Sequence, residues 1–477
     1  MLLSSLPLPW LLVLLPWAGA VVLAALPSAR IAAMANIGVS AVALALALLL
    51  FWQPQGGQGW LQLDALNLPL LALSFIIGLA AAVFSGGAAA EGCARAWHGG
   101  FQLFMGAQAL ALLSESMGVA WLALVIATIA GALMVASQRT APAVQAAWKF
   151  LLLCGTGIGL ALFGTVLLQL AAQPLGAGLS WATLRGLAEQ CDPAALSLSF
   201  VFLLAGYGSL AGLVPLHSWL PDVEAEGPLA MPALLSGLLP NAALLTVLRA
   251  KAVLGANPEA VAPGIFLLAL GLASVLLAAL ALWQRGRAKR LFAWASIGQI
   301  GLAAFAFGLG GPAANMAGLL LLLGHALGKG AAAFGIGHAE QVKGRQGIAE
   351  MGGLCASHPG LGWALAFAIA ALAGMPPFAL FAGLFLLLTE LAARGAWLLL
   401  PLGLGLLGMI AAMVTAMQEL CLAGTGAEVP RRRGGWTRAQ AMALGPPWLL
   451  LVLALLLGVA LPGPLAALLA EAARIPG

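Results

Sequence analysis

Lys329 lies deep in an apolar run with His325 four residues before it, and two titratable groups one helical turn apart are equipped to pass on a proton. An ionisable side chain at the centre of a bilayer costs at least ~2.5–3.5 kcal/mol, so each one there needs a reason. A lysine withdrawn from water can cycle between amine and ammonium as its surroundings change. The alternative for this pair is plain interhelical hydrogen bonding. Lys149, in Ala146-Ala147-Trp148-Lys149-Phe150, falls in the first turn or so of another apolar run. There it either joins a proton path or reaches the headgroups along its alkyl stem. Asp222, Glu224 and Glu226 follow Pro215 and Pro221. Glu224 and Glu226 read as residues of a solvated loop. His217 and Asp222, nearer the Pro215 break, are placed to admit protons from water. Glu115 reads as a solvated residue in a tight connection.

Other chemistries find no support. No G-x-S-x-G elbow, zincin motif or suitably spaced carboxylate pair occurs, so no catalytic residue is assigned. Cys93, Cys154, Cys191, Cys355 and Cys421 are scattered without a C-x-x-C pair, so neither a zinc site nor an iron–sulfur cluster is expected. No nucleotide-binding glycine pattern appears, and no cofactor is expected. The net charge of +5 comes from a few loop arginines and implies no nucleic-acid partner.

The elements that must position these residues are membrane helices. Of 477 residues 63% are hydrophobic and only 7% charged, too few charges to clothe a soluble surface. The long apolar runs exclude a transmembrane barrel. The expected fold is an all-α membrane protein, a single polytopic domain over 1–477 surrounded by lipid, and the apolar N-terminus reads as its first span rather than a signal peptide. Fourteen spans are expected near 9–27, 31–52, 64–85, 98–115, 117–137, 146–172, 196–216, 228–250, 263–284, 290–309, 313–337, 361–391, 396–420 and 446–468. The stretch 361–391 is too long for one straight crossing and is broken at Met375-Pro376-Pro377. Pro215 disturbs the end of the seventh span likewise, and such breaks are tolerated where they line a protein-buried or wet cavity. Loops after odd-numbered spans hold Arg30, Arg95, Arg139, Arg285, Arg287, Lys289, Arg290, Lys343, Arg345, Arg431, Arg432, Arg433 and Arg438. The other face holds Arg185, Arg249, Lys251, Arg394 and Arg474. The positive-inside rule then puts the first group in the cytoplasm and both termini outside.

The stretch Gly206-Tyr207-Gly208-Ser209-Leu210-Ala211-Gly212-Leu213-Val214-Pro215-Leu216-His217-Ser218-Trp219-Leu220-Pro221-Asp222, with Glu226-Gly227-Pro228 after it, is long and specific. It resembles the signature of the proton-translocating antiporter-like subunits of respiratory complex I, the membrane-bound hydrogenases and the Mrp antiporters. Further matches are Lys289-Arg290-Leu291-Phe292, His325 with Lys329, and Ala373-Gly374-Met375-Pro376-Pro377-Phe378. Together they run from about residue 60 to 390. Trp148-Lys149-Phe150, with Leu160 to Val166 nearby, looks closest to the hydrogenase-4 component F group. The resemblance implies two inverted five-helix repeats, 98–250 and 263–420, with broken helices near Pro215 and Pro376. It also implies a subunit of a bacterial inner-membrane complex without its own redox centre, partnered by other membrane subunits and a soluble redox arm.

The departures from that pattern concern charge. Where the family usually has a glutamate in the fifth span this chain has Val125. Family lysines in the seventh and eighth spans become Leu210 and Asn241, and the charged residue after the second break becomes Leu384. Lys149 is then expected to lack a carboxylate partner, while Lys329, His325, His217, Lys149 and Asp222 make up the surviving proton path. Three readings follow: a proton-translocating subunit of a redox-driven complex, a degenerate structural subunit that does not conduct, and an antiporter or ion-conducting partner of another uptake system.

Overall fold

A computed structural model describes residues 7–88, 95–176, 178–284, 286–423 and 437–475. Cys93, Arg285 and Arg431 to Arg433 lie outside them. The helices run in order α1 (Leu8–Ala25), α2 (Ala29–Leu49), α3 (Asn67–Ala88), α4 (Arg95–Leu113), α5 (Met117–Ala136), α6 (Ala141–Ala172), α7 (Trp181–Leu187), α8 (Pro193–Ala211), α9 (Leu220–Glu226), α10 (Met231–Leu235) and α11 (Leu239–Leu254). There follow α12 (Gly264–Ala281), α13 (Ala288–Leu309), α14 (Pro312–Lys343), α15 (Leu354–Ser357), α16 (Pro359–Leu372), α17 (Ala379–Arg394), α18 (Leu399–Met417), α19 (Arg438–Val459) and α20 (Gly463–Ala472). A short antiparallel hairpin, β1 (Gly56–Gln58) and β2 (Leu61–Leu63), adds the one sheet among the described residues. The chain is a multi-pass helical membrane protein. Among the described residues twelve helical stretches are long and apolar enough to cross a bilayer.

Both breaks are built alike. Helix α8 ends at Gly212, whose φ of 79° is open to glycine at no steric cost, and the Leu213 amide turns back to the Gly208 carbonyl at 2.9 Å. After α16, Gly374 has a φ of 71° and the Met375 amide returns to Ala370 at 3.0 Å. Each break thus satisfies its own last carbonyls, as a helix that stops inside a membrane must. Cis peptide bonds follow in both, Val214–Pro215 and Pro376–Pro377.

Close helix contacts rest on small residues. A side chain at Gly206 would stand 2.5 Å from the Gly157 carbonyl, so α6 and α8 meet backbone to backbone. Gly271 and Gly301 do the same for α12 and α13. The centre of the molecule is α13 and α14, with α14 packed against α13, α16, α17 and α19 and wholly buried along its most apolar stretch.

One boundary differs from expectation in a way that matters. Helix α6 begins at Ala141, not near 146, because the Thr140 hydroxyl accepts from the Ala143 amide at 3.3 Å and Pro142 suits the first turn. Lys149 therefore stands about two turns into α6 rather than in its first turn.

Candidate functional site

The site is organised by α9, the seven-residue helix that follows the first break and packs against α6 and α13. It carries Asp222, Glu224 and Glu226 at alternate positions. In a helix, residues four apart share a face, while the one between them lies about 200° round. Asp222 and Glu226 accordingly face outward and Glu224 inward.

On the outer face, Asp222 bridges Lys149 on α6 at 2.6 Å and Arg290 on α13, and Glu226 pairs with Arg287. The expectation that Lys149 lacks a carboxylate does not hold, because the break swings α9 back against α6. This cluster is half exposed: Lys149 is 42% and Arg290 55% exposed, around an open cavity of about 660 Å³ that Asp222 also lines. Burial works against the ionised carboxylate of Asp222. The hydrogen bonds and charges of Lys149 and Arg290 outweigh it and hold the carboxyl below the ordinary aspartate range.

Glu224 is the second correction. It is not a solvated loop residue but fully buried, and its Oε2 accepts from Lys329 Nζ at 2.7 Å, with each side chain 1% exposed. Lys329 Nζ also donates to the Phe292 carbonyl on α13 at 2.9 Å. The Ser236 hydroxyl, at the C-terminal end of α10, donates to Glu224 Oε1. His325 comes to the same residue from α14, with Nε2 3.3 Å from the Ser236 carbonyl. Its Nδ1 has no hydrogen-bond partner among the described residues. Three elements, α9, α10 and α14, thus converge on one short file, His325, Ser236, Glu224 and Lys329, with the Phe292 carbonyl of α13 beside it. Such a file can hold a proton on a carboxylate, or hold it on an amine, and exchange between them.

His217 stands apart from this file. It sits in the break, 8% exposed, with its ring 5.2 Å from that of Trp294, and it does not line the cavity that Asp222 lines. Lys329 with His325, and Lys149 with Asp222, are therefore two separate groups. Glu115 is partly buried and accepts from the Ser180 hydroxyl at 2.8 Å.

The positions where family charge is missing are apolar or closed. Leu210 is fully buried and Val125 partly so. Asn241 donates to the Gly237 carbonyl at 3.0 Å, just ahead of its own helix, and its buried amide oxygen has no hydrogen-bond partner among the described residues. Leu384 lies among the apolar side chains around Gln299.

Residues 114–410 match the family described as NADH:quinone oxidoreductase/Mrp antiporter, transmembrane region. The hydrogenase-4 component F homolog of Methylacidiphilum infernorum is 40% identical over 421 residues, covering 86% of this chain and 88% of that one. NADH-quinone oxidoreductase subunit 14 of Thermus thermophilus is 33% identical over 69% of this chain and 70% of its own. Among solved structures, a subunit of the membrane-bound sulfane sulfur reductase, an archaeal respiratory membrane complex, superimposes with a TM-score of 0.86. That match covers 98% of this chain and 97% of the other at 22% identity, and it speaks for the fold.

Proposed function

Because the chain belongs to the NADH:quinone oxidoreductase/Mrp antiporter family, we propose that it is a membrane subunit of a hydrogenase-4-like or complex I-like proton-translocating complex, with its proton path through Glu224 and Lys329. The buried Glu224–Lys329 pair carries this reading. Taking two charges out of water is expensive, and a well-packed apolar pair in their place is often no less stable. A proton path is what such a pair can supply and an apolar pair cannot. With the proton on Glu224 the ion pair is discharged, and Lys329 is free to turn towards its other neighbours. With Glu224 ionised, the carboxylate draws the Lys329 ammonium back.

In this reading α4, and α16 with α17 as one interrupted crossing, complete fourteen spans, and 98–250 and 263–420 are the two repeats. The protein sits in a bacterial inner membrane with both termini outside, beside other membrane subunits. A soluble redox arm supplies the driving force, since this chain would contribute no redox centre. The test is proton uptake by vesicles holding the assembled complex. Glu224→Gln and Lys329→Met should each abolish uptake with assembly intact. Normal uptake by Glu224→Gln would exclude the path, and a wild-type complex that assembles but moves no protons would favour the structural-subunit reading.

A further inference from the structure

A cavity of about 430 Å³ is lined by Ser85, His98, Thr140, Glu226, Lys289 and Glu340, and by Ala29, Gln138 and Gln346, the sequence neighbours of the loop residues Arg30, Arg139 and Arg345. Part of its wall is the chain from Ala225 to Ala230. Glu224 is the residue next to Ala225, facing the other way into the protein. One helix width therefore separates the cavity from the buried carboxylate.

On the wall of this cavity Lys289 of α13 and Glu340 of α14 form an ion pair at 2.8 Å, and their side chains are only 6% and 8% exposed. The same two helices hold the Phe292 carbonyl and Lys329. Lys289 precedes Phe292 by three residues, close to one turn. Glu340 follows Lys329 by eleven, about three turns, so it lies on the same face of α14 nearer the surface. Between them that face is apolar, with Ala333, Ile336 and Gly337 buried. Lys289 also lies within electrostatic reach of Glu224. It thus stands between two carboxylates, bonded to one and sensed by the other.

We infer that this cavity is the proton intake of the Glu224–Lys329 path, and that the Lys289–Glu340 ion pair is the gate between them. Glu340 accepts a proton from hydronium in the cavity, loses its charge and releases the Lys289 ammonium, which turns towards Glu224 and gives a proton to its carboxylate. The neutral Lys289 amine then swings back and takes the proton of Glu340, so that Glu340 is ionised again and the ion pair re-forms. One O–H or N–H bond breaks for each that forms, and charge is conserved at each transfer. His98 does not share this role. Its Nδ1 is 3.1 Å from Asn36 Nδ2, and the Asn36 amide oxygen accepts from Gln102, which spends that ring nitrogen on a fixed hydrogen-bond chain between α2 and α4.

The inference rests on the conduction reading above, and its test separates the two. The complex is reconstituted with Lys289→Met, Glu340→Gln and both together. A single change strands one buried charge and can harm folding for that reason alone, whereas the double change removes both. If the pair is a gate, the double variant assembles like wild type and proton uptake is still slowed at least tenfold. If the pair only holds α13 to α14, the double variant restores wild-type uptake and the gate is excluded. Loss of uptake in Lys329→Met beside normal uptake in the double variant would leave the path standing and remove the gate. A second measurement needs no transport: a Ser85→Cys thiol should react with a membrane-impermeant thiol reagent added from the basic-loop side only. No reaction from that side would mean the cavity is closed to water and would overturn the intake.

Discussion

Glu224 and Lys329 lie 105 residues apart in sequence and 2.7 Å apart in space, and that separation decides how their substitution should behave. Removing either partner leaves the other buried and uncompensated, which costs about 3–5 kcal/mol. Thermal unfolding in detergent should show Lys329→Met and Glu224→Gln as destabilised, since each strands one buried charge. The double variant should recover most of that loss while still moving no protons. Recovered stability together with recovered transport would make the pair structural. The outer cluster should respond differently. Ion pairs this exposed contribute about 0.2–1 kcal/mol. The Asp222 carboxyl is held below its ordinary range, so its contribution is complete above an unfolded-state pKa of about 3.9 and is lost only as pH falls through the folded value. The stability difference between wild type and Asp222→Asn should therefore be constant from pH 8 to 5 and shrink only below about pH 4. Lys329 and His325 were legible in sequence because charge inside an apolar run is conspicuous by itself. Glu224 was not, because it stands among prolines and other acids as loop residues do, and only the alternate spacing of Asp222, Glu224 and Glu226 signals a helix with one acid turned inward.

At the scale of elements, the breaks after α8 and α16 were readable because proline and glycine act locally. The start of α6 was missed although its signal is also local, in the order Thr140, Ala141, Pro142. That shift moved Lys149 two turns into its helix, and the return of α9 against α6 supplied the carboxylate that no local pattern announces. The same return sorts His217 from Asp222. Water access is expected at both; Asp222 lines an open cavity, while His217 is 8% exposed against Trp294. A cysteine at 222 should react quickly with a small water-soluble thiol reagent and one at 217 at least about tenfold more slowly. Equal fast rates would mean that the break opens in the membrane. At the α6–α8 contact, Gly206→Val should prevent correct packing, because its Cβ would stand 2.5 Å from the Gly157 carbonyl and a backbone atom cannot give way as a side chain does. Loss of folded protein in detergent checks it.

Taken as a whole, the molecule carries its buried charge across the join between the two proposed repeats, with Glu224 from the first and Lys329 from the second. The first repeat alone offers no comparable route. Leu210 is fully buried, Val125 is partly buried, and neither can take up a proton or draw one from a neighbour. Carrying a bare charge past them costs at least ~2.5–3.5 kcal/mol at bilayer depth. Lys149 does have a partner, but that partner is Asp222 on the outer face of α9, and the bond binds Lys149 to the half-exposed cluster with Arg290 rather than to the interior. A proton reaching Lys149 has therefore reached a surface. Conduction should pass through the second repeat, fed across the join by Glu224. Lys149→Ala should leave proton uptake by the reconstituted complex nearly unchanged. Lys329→Ala should reduce it at least about tenfold, equivalent to ~1.4 kcal/mol or more on the barrier, a modest demand on a residue at the centre of the path. Equal losses from the two substitutions, with assembly intact, would mean that water bridges the apolar gap at Val125 and Leu210 and that the first repeat conducts after all.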